Sequence, residues 1–214
     1  MLKIEITDVF GFEAAIRGMR NPKNSWNKSD SWYSDGGEEY NVGTNDLKLM
    51  KTLAKAGDDH GKFMRMINVT MDVVAPLYWW KEFDTYKVGT VVDSCSTMHK
   101  IADKEFTLED FSYEHLENLT TINGVSWDCK DYLKQWITLL NVCREQFIKT
   151  NDKSWWWQMI QLLPSSYNQR RTVQLNYAVL KNMYHARKNH KLDEWHTFCD
   201  WIESLPYSEL ITEK

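Results

Sequence analysis

The residues best suited to chemistry are cations gathered in one acid-free window. From Lys153 to Leu192 there is no Asp or Glu, and Lys153, Arg170, Arg171, Lys181, Arg187, Lys188 and Lys191 give the window a charge of +7. The whole chain carries −4, which leaves −11 for the remainder. A positive segment in an acidic protein points to a local anion site. Guanidinium and ammonium groups pair with phosphate, the first as a planar fork and the second as a point charge. If Ser166 to about Lys188 is one helix, then Arg170, Gln174, Lys181, His185 and Lys188 share an arc of roughly 60° at about 100° per residue. Val173, Tyr177, Leu180 and Tyr184 form the adjoining apolar stripe, with Arg187 near its far edge. The alternative is a solvated basic face that aids solubility. Extended nucleic acid is not expected, because the positive charge is confined to one segment.

Other constellations carry less. His196 and Cys199 lie one helical turn apart, but two ligands do not make a metal site, so core packing is the expected role and no metal is implied. Cys95 and His99 are also one turn apart, a spacing common by chance. The sequence holds no phosphate-cradling Gly-rich loop, no dinucleotide fingerprint and no zinc-ligand set.

The elements that must position these residues follow from pattern. Leu2 to Ile6 alternates and predicts a strand, and Phe12 to Met19 a short helix. Asn21 to Gly43 is polar, yet it holds Trp26, Trp32, Tyr33 and Tyr40. It is expected to be an ordered surface segment, a lid or a contact arm, with a floppy insertion as the alternative. Asn45 is the expected cap of a helix through Ala56, stopped by Gly57. Phe63 to Val74 predicts a strand, and Pro76 opens a helix to about Lys87. Gly89 to Ser96 predicts a turn or loop leading into another helix. Ser126 is the expected cap of a long helix to about Lys149. Further helices are expected over Trp155–Leu163, Ser166–Lys188 and Asp193–Leu205. Strands first and helices after make the fold class α+β, in a single domain over 1–214.

Composition sets the outer bounds. The chain has 214 residues, 43% hydrophobic and 26% charged, a length that suits one large domain. Four scattered cysteines without a CxxC pair, and an N-terminus lacking a signal peptide's apolar stretch, predict reduced thiols in a cytoplasmic protein. The longest apolar region, Val69 to Trp80, is short and carries Asp72, so no membrane contact is expected. Eleven tryptophans point to subunit contacts or a ligand pocket, the alternative being a Trp-rich core.

Three stretches, in order, resemble the flavin-dependent thymidylate synthases. The first is Asp46-Leu47-Lys48-Leu49-Met50 through His60 and Phe63. The second is Ala75-Pro76-Leu77-Tyr78-Trp79-Trp80-Lys81-Glu82-Phe83. The third is Leu163-Pro164, Tyr167, Thr172-Val173, Asn176, the helix to Arg187, and Trp195. The resemblance covers most of the chain and extends to divergent relatives carried by bacteriophages and prophages. The family signature, R-H-R-x-x-S-x-N-x-x-S-x-R-Y, falls on Thr85 to Met98, where none of its eight named positions is identical. Lys87 keeps a positive charge, Thr90 keeps a hydroxyl and Cys95 is isosteric with serine, but Thr85 and Thr97 replace the other two arginines.

The resemblance implies a homotetramer with active sites at subunit interfaces. It implies a reaction that moves a one-carbon unit from methylenetetrahydrofolate to dUMP, with reduced FAD as hydride donor. It places Arg187 near the arginine that polarises the pyrimidine, after a one-residue shift, and Asp93 where an acid lies beside the substrate. Together with the basic window, it makes Lys87, Thr90, Asp93, Ser94, Cys95, Ser96, Gln169, Arg170, Arg171, Gln174, Lys181 and His185 the expected ligand or phosphate contacts. His60, Tyr86 and Asn176 are the expected flavin contacts. Loss of phosphate-facing arginines removes charge-assisted bonds of about 1.5–3 kcal/mol each, so affinity for FAD and dUMP is expected to fall steeply. The expected function is a thymidylate synthase-like protein that binds a nucleotide-like anion without the ancestral methylation. The alternatives are an active FAD-dependent enzyme with a rewired site and a non-catalytic phage protein that binds a host protein.

Overall fold

The computed structural model describes residues 2–122 and 124–213. In chain order the strands are β1 (Lys3–Phe10), β2 (Trp32–Tyr33), β3 (Tyr40–Asn41), β4 (Asn68–Pro76), β5 (Val91–Ser94), β6 (Asn118–Ile122), β7 (Val125–Asp128) and β8 (Asn168–Asn176). The helices are α1 (Phe12–Arg20), α2 (Thr44–Lys55), α3 (Leu77–Phe83), α4 (Thr97–Lys100), α5 (Cys129–Thr150), α6 (Lys153–Leu162), α7 (Tyr177–Arg187), α8 (Asp193–Glu203) and α9 (Glu209–Thr212). The main sheet runs β1-β4-β8-β5, and β2-β3 and β6-β7 are separate two-stranded ribbons. The fold class is α+β, as the pattern predicts.

Two compact units are distinguished along the chain. One gathers Val74–Phe83 and Ser94–Arg171 with the first residues of the chain. Its core is Ile101, Phe106, Phe111, Leu133, Ile137, Leu140, Cys143 and Met159, which closes beneath the α5–α6 hairpin. Trp79, Trp80 and Phe83 on α3 form a second buried aromatic group, with Trp79 and Trp80 edge to face at 4.9 Å. The other unit gathers Ile4–Val73, Asp84–Asp93 and Thr172–Lys214. There α7 packs on α8, α9 and a 3-10 turn over Gly61–Met66. Gly11 enters α1 at φ +99°, and a Cβ there would lie 2.1 Å from the Met66 carbonyl oxygen, so only glycine fits.

The segment 21–43 is ordered by a buried charge. Asp46, in the first turn of α2, accepts Arg20 Nε–H at 2.6 Å on one oxygen. Its other oxygen accepts the Ser29 and Ser31 hydroxyls, both at 2.7 Å, and the Asp30 and Ser31 amides. Arg20 spends its remaining donors on the Ser25 and Lys28 carbonyls. Burial alone would raise the Asp46 carboxyl. The bonds from Ser31, Ser29, Arg20 and Asp30 outweigh that effect and hold it below its ordinary range. Tyr33 and Tyr40 stack edge to face across β2–β3, while Trp26 and Trp32 stay exposed.

Several expectations need correction. Ser166–Lys188 is not one helix: β8 occupies Asn168–Asn176 and α7 begins only at Tyr177. Along β8, Gln169, Val173 and Leu175 are buried while Arg170, Thr172 and Gln174 are exposed, the period of two that a strand requires. The helical arc joining Arg170 and Gln174 to Lys181, His185 and Lys188 therefore does not exist. Asn45 does not cap α2. The carboxylate of Asp30 accepts the Asn45 and Asp46 amides instead. Ser126 does not cap α5; Asp128 does, through the Asp131 amide at 2.9 Å. Residues 63–66 belong to the 3-10 turn, and β4 starts at Asn68. Residues 91–94 are strand β5 rather than loop.

Candidate functional site

A cavity of about 460 Å³ opens in the unit that contains α4 and α5, lined by residues from β8, α4 and the segment that follows it. Local sequence places each wall. Ser96, two residues past the end of β5, caps α4, accepting the His99 amide on its hydroxyl at 3.3 Å and meeting His99 Nδ1 at 2.9 Å. That junction puts Cys95 and Ser96 on the cavity wall. The facing wall is the start of β8. The Cys95 amide donates to the Arg170 carbonyl at 3.0 Å, and Gln169 Nε2 donates to the Cys95 carbonyl at 2.7 Å. Gln169 is itself immobilised: its side-chain oxygen accepts Arg171 Nε–H and its backbone carbonyl accepts the Trp80 indole N–H, both at 3.0 Å. The Arg171 guanidinium lies over the Trp80 ring at 4.2 Å, a cation–π contact that turns it away from the role of solvent-facing cation.

The third wall is the loop after α4. Asn141 of α5 holds it by bonding the Phe106 amide and carbonyl, both at 2.8 Å. Lys100 pairs with Asp103 at 2.9 Å, and Lys104 pairs with Asp110. The Asp103 carboxylate raises the Lys100 ammonium above its ordinary range, so it stays charged. Tyr167, Phe106 and Ile101 supply the apolar part of the wall, and burial pushes the Tyr167 phenol up, keeping it neutral. The cavity thus combines an aromatic surface, the amides of Asn168 and Gln169, the cations Arg170, Lys100 and Lys104, and the carboxylates Asp103, Glu109 and Asp110, two of which are paired with the lysines. A cavity of this volume, with one apolar wall and a polar, charge-balanced remainder, has room for a small polar molecule.

In the other unit, Arg187 donates Nε–H to the Tyr86 hydroxyl at 2.8 Å. Its guanidinium lies 4.8 Å from the Trp195 ring centre and 5.5 Å from that of Tyr86. Two aromatic faces and one hydroxyl fix the plane of this cation.

The expected site residues therefore separate into groups. Cys95, Ser96, Gln169 and Arg170 meet at the cavity. Asp93 and Ser94 are exposed on β5, and Gln174 is exposed further along β8. Lys87 is exposed. The Thr90 hydroxyl is sealed from solvent without a hydrogen-bond partner among the described residues. Lys181 donates to the Ala54 carbonyl at 2.7 Å, at the C-terminus of α2, where a cation complements the helix dipole. Burial lowers its ammonium. The His185 ring packs on the Tyr184 ring at 5.4 Å. His60 is exposed, and Asn176 caps α7 by accepting the Val179 amide at 3.1 Å. Sequence reasoning did not single out Lys100, Lys104, Asp103, Asp110, Tyr167 or Asn168 as cavity residues. For the four charged residues the only signal is the density of charge between 100 and 110, which also describes an ordinary solvated loop, while Tyr167 enters only as part of the third resembling stretch.

No family model and no curated protein sequence matches the chain. Solved structures do match. Thymidylate synthase X from Helicobacter pylori, crystallised with FAD and dUMP, superposes at a TM-score of 0.68 with 14% identity, covering 100% of this chain and 98% of that one. A second structure, of the flavin-dependent thymidylate synthase from the same organism complexed with FAD and dUMP, gives 0.68 with 15% identity over 99% and 98%. A UMP/dUMP methylase from Streptomyces cacaoi bound with 5-Br dUMP gives 0.62 with 15% identity over 99% and 95%. The chain has the fold of these proteins along its whole length.

Proposed function

We propose that this protein binds a nucleotide-like anion, of nucleoside monophosphate size, in the cavity between β8 and α4, and does not carry out flavin-dependent dUMP methylation. One observation carries the reading: the cavity joins Cys95 and Ser96, from the stretch aligned with the family signature, to Gln169 and Arg170 of the basic window. The phosphate is assigned to Arg170, since Lys100 and Lys104 are paired with Asp103 and Asp110, and the base to the Tyr167 side. The fold supports it, because the structures it resembles are bound to dUMP or a bromo analogue.

Flavin is not part of this reading. Tyr86 is engaged by Arg187 and the Asn176 side-chain oxygen Oδ1 by the α7 cap. The aligned stretch 85–98 keeps one cation, Lys87, against a dinucleotide's diphosphate. This donor set does not fit FAD.

Isothermal titration of the purified chain with dUMP and UMP, alongside its absorbance spectrum, tests the proposal. The expected result is a colourless protein that binds at least one nucleoside monophosphate, with Arg170→Ala weakening binding by about tenfold or more. Absence of nucleotide binding, or an Arg170→Ala variant that binds as the parent does, overturns it. A yellow protein that methylates dUMP returns the enzyme reading.

A further inference from the structure

We infer that the β2–β3 hairpin is a docking surface for an extended, Lys/Arg-rich segment of another protein. The fold orders this hairpin but leaves its largest side chain unused. Trp32 is 57% exposed, and among the described residues its ring packs on no other ring and its indole N–H meets no acceptor. Trp32 lies opposite Asn41 in the ladder, and Tyr33 opposite Tyr40. Alternation therefore sends the two tyrosines to one face, where Tyr33 donates its hydroxyl to Glu13 of α1 at 2.7 Å, and Trp32 to the other. The ladder continues to the tip: the Ser34 amide donates to the Glu39 carbonyl and the Gly37 amide to the Ser34 carbonyl, both at 2.8 Å. Gly36 and Gly37 make the turn at φ +108° and +76°. The base is held by the Asp46 carboxylate, which accepts from Ser29, Asp30 and Ser31. A surface ordered before binding loses less freedom when a ligand arrives.

Charge decides the occupant. From Ser29 to Leu47 there is no Lys, Arg or His, but five acids. Asp30 and Asp46 are spent inside the fold, on the start of α2 and on Arg20. Asp35, Glu38 and Glu39 are exposed and make no ion pair among the described residues. Glu39 precedes Asn41 by two residues and so shares the Trp32 face. An indole face beside a carboxylate suits a guanidinium or ammonium group, which gains cation–π attraction and a charge-assisted bond together. From Trp32 to Asp35 the strand advances about 10 Å, the reach of three residues in an extended chain. Successive cations of one peptide therefore engage the ring and the acidic tip at once, which a single small cation does not. An acidic segment is repelled, and an apolar one desolvates the carboxylates without pairing them. Exposed tryptophans of this kind are the usual anchors of protein interfaces.

The test is fluorescence anisotropy of a labelled hexa-arginine peptide titrated with the full chain. Binding is expected, and it weakens as salt rises. Trp32→Ala leaves the net charge unchanged and weakens binding by about fivefold or more. Glu38→Gln/Glu39→Gln weakens it to a similar degree. Asp58→Asn/Asp59→Asn, an equal change of charge on the loop after α2, leaves it within about twofold. Circular dichroism confirms that each variant keeps its fold. A peptide that does not bind overturns the inference. So does a Trp32→Ala variant that binds as the parent does, or equal weakening by the two pairs of acid substitutions. Spermine that competes as well as the peptide overturns the assignment to a protein segment, and so does an oligomer, seen by light scattering, whose own contacts exclude the peptide from Trp32.

Discussion

Arg20→Ala should be the most damaging single substitution outside the apolar cores. The guanidinium is 5% exposed and the Asp46 carboxylate 0% exposed, and their contact is 2.6 Å. Removing the cation strips one charge-assisted bond from Asp46 and leaves the Ser25 and Lys28 carbonyls without their donor. Four donors remain on Asp46, from Ser29, Asp30 and Ser31, so the carboxylate is not wholly abandoned. Breaking one side of a buried pair costs about 3–5 kcal/mol, which in a chain of this size lowers Tm by roughly 9–15 °C. Calorimetry and urea unfolding of Arg20→Ala, Asp46→Ala and the double variant measure it. The double variant should cost at least about 1 kcal/mol less than the two single losses combined. The loss should be accompanied by altered fluorescence from Trp26 and Trp32, because the same pair fixes the segment that carries them. An Arg20→Ala loss under about 1 kcal/mol, or strictly additive losses, would refute the reasoning.

Three further outcomes are expected. Asp46 is held below the ordinary carboxylate value of 3.8, so it stabilises the fold above that pH and the contribution disappears as pH falls through its folded value. Asp46→Asn should therefore flatten the acid branch of a Tm series between about pH 5 and about pH 2; an unchanged branch contradicts this. Burial, aided by the charges of Asp200 and Glu203, pushes the Cys199 thiol up to about 11, and burial raises Cys143, whereas Cys95 is exposed. A thiol reagent at neutral pH should modify Cys95 quickly and the other two only on unfolding, as peptide mass mapping would reveal. Asp128→Ala should cost about 1 kcal/mol through loss of the α5 cap, while Ser126→Ala should cost little; equal losses in chemical denaturation would restore the serine as cap.

The sequence is most informative where one period dominates. The α1 and α8 segments are legible because apolar residues recur at helical spacing and terminate cleanly, as with Phe12 to Met19. The stretch 166–188 misleads because two periods join without a break. Val173, Tyr177, Leu180 and Tyr184 keep helical spacing, yet Gln169, Val173 and Leu175 belong to a strand, and only Asn176, the cap, marks the change. Caps are misread for a related reason. Ser126 and Asn45 are chemically suitable, but the amides are taken by Asp128 and by the distant Asp30. The cavity is half legible. Cys95, Ser96, Gln169 and Arg170 come forward through resemblance and charge, while Lys100 reaches it from the end of α4 and Lys104 from the loop that Asn141 holds in place. That long-range contact leaves no local trace.

The tandem Arg170-Arg171 has one more consequence. On a strand, adjacent residues serve opposite faces, so one arginine lines the cavity and the next covers Trp80. A slip of one residue would put one arginine in the other's place and Gln169 or Thr172 in the place it left, so a guanidinium would still stand at one of the two positions. The register must be read elsewhere, by Val173 and Leu175, which the same slip would turn out into water. Binding chemistry and alignment are thus entrusted to different halves of one strand, leaving the first half open to change while the second keeps its place.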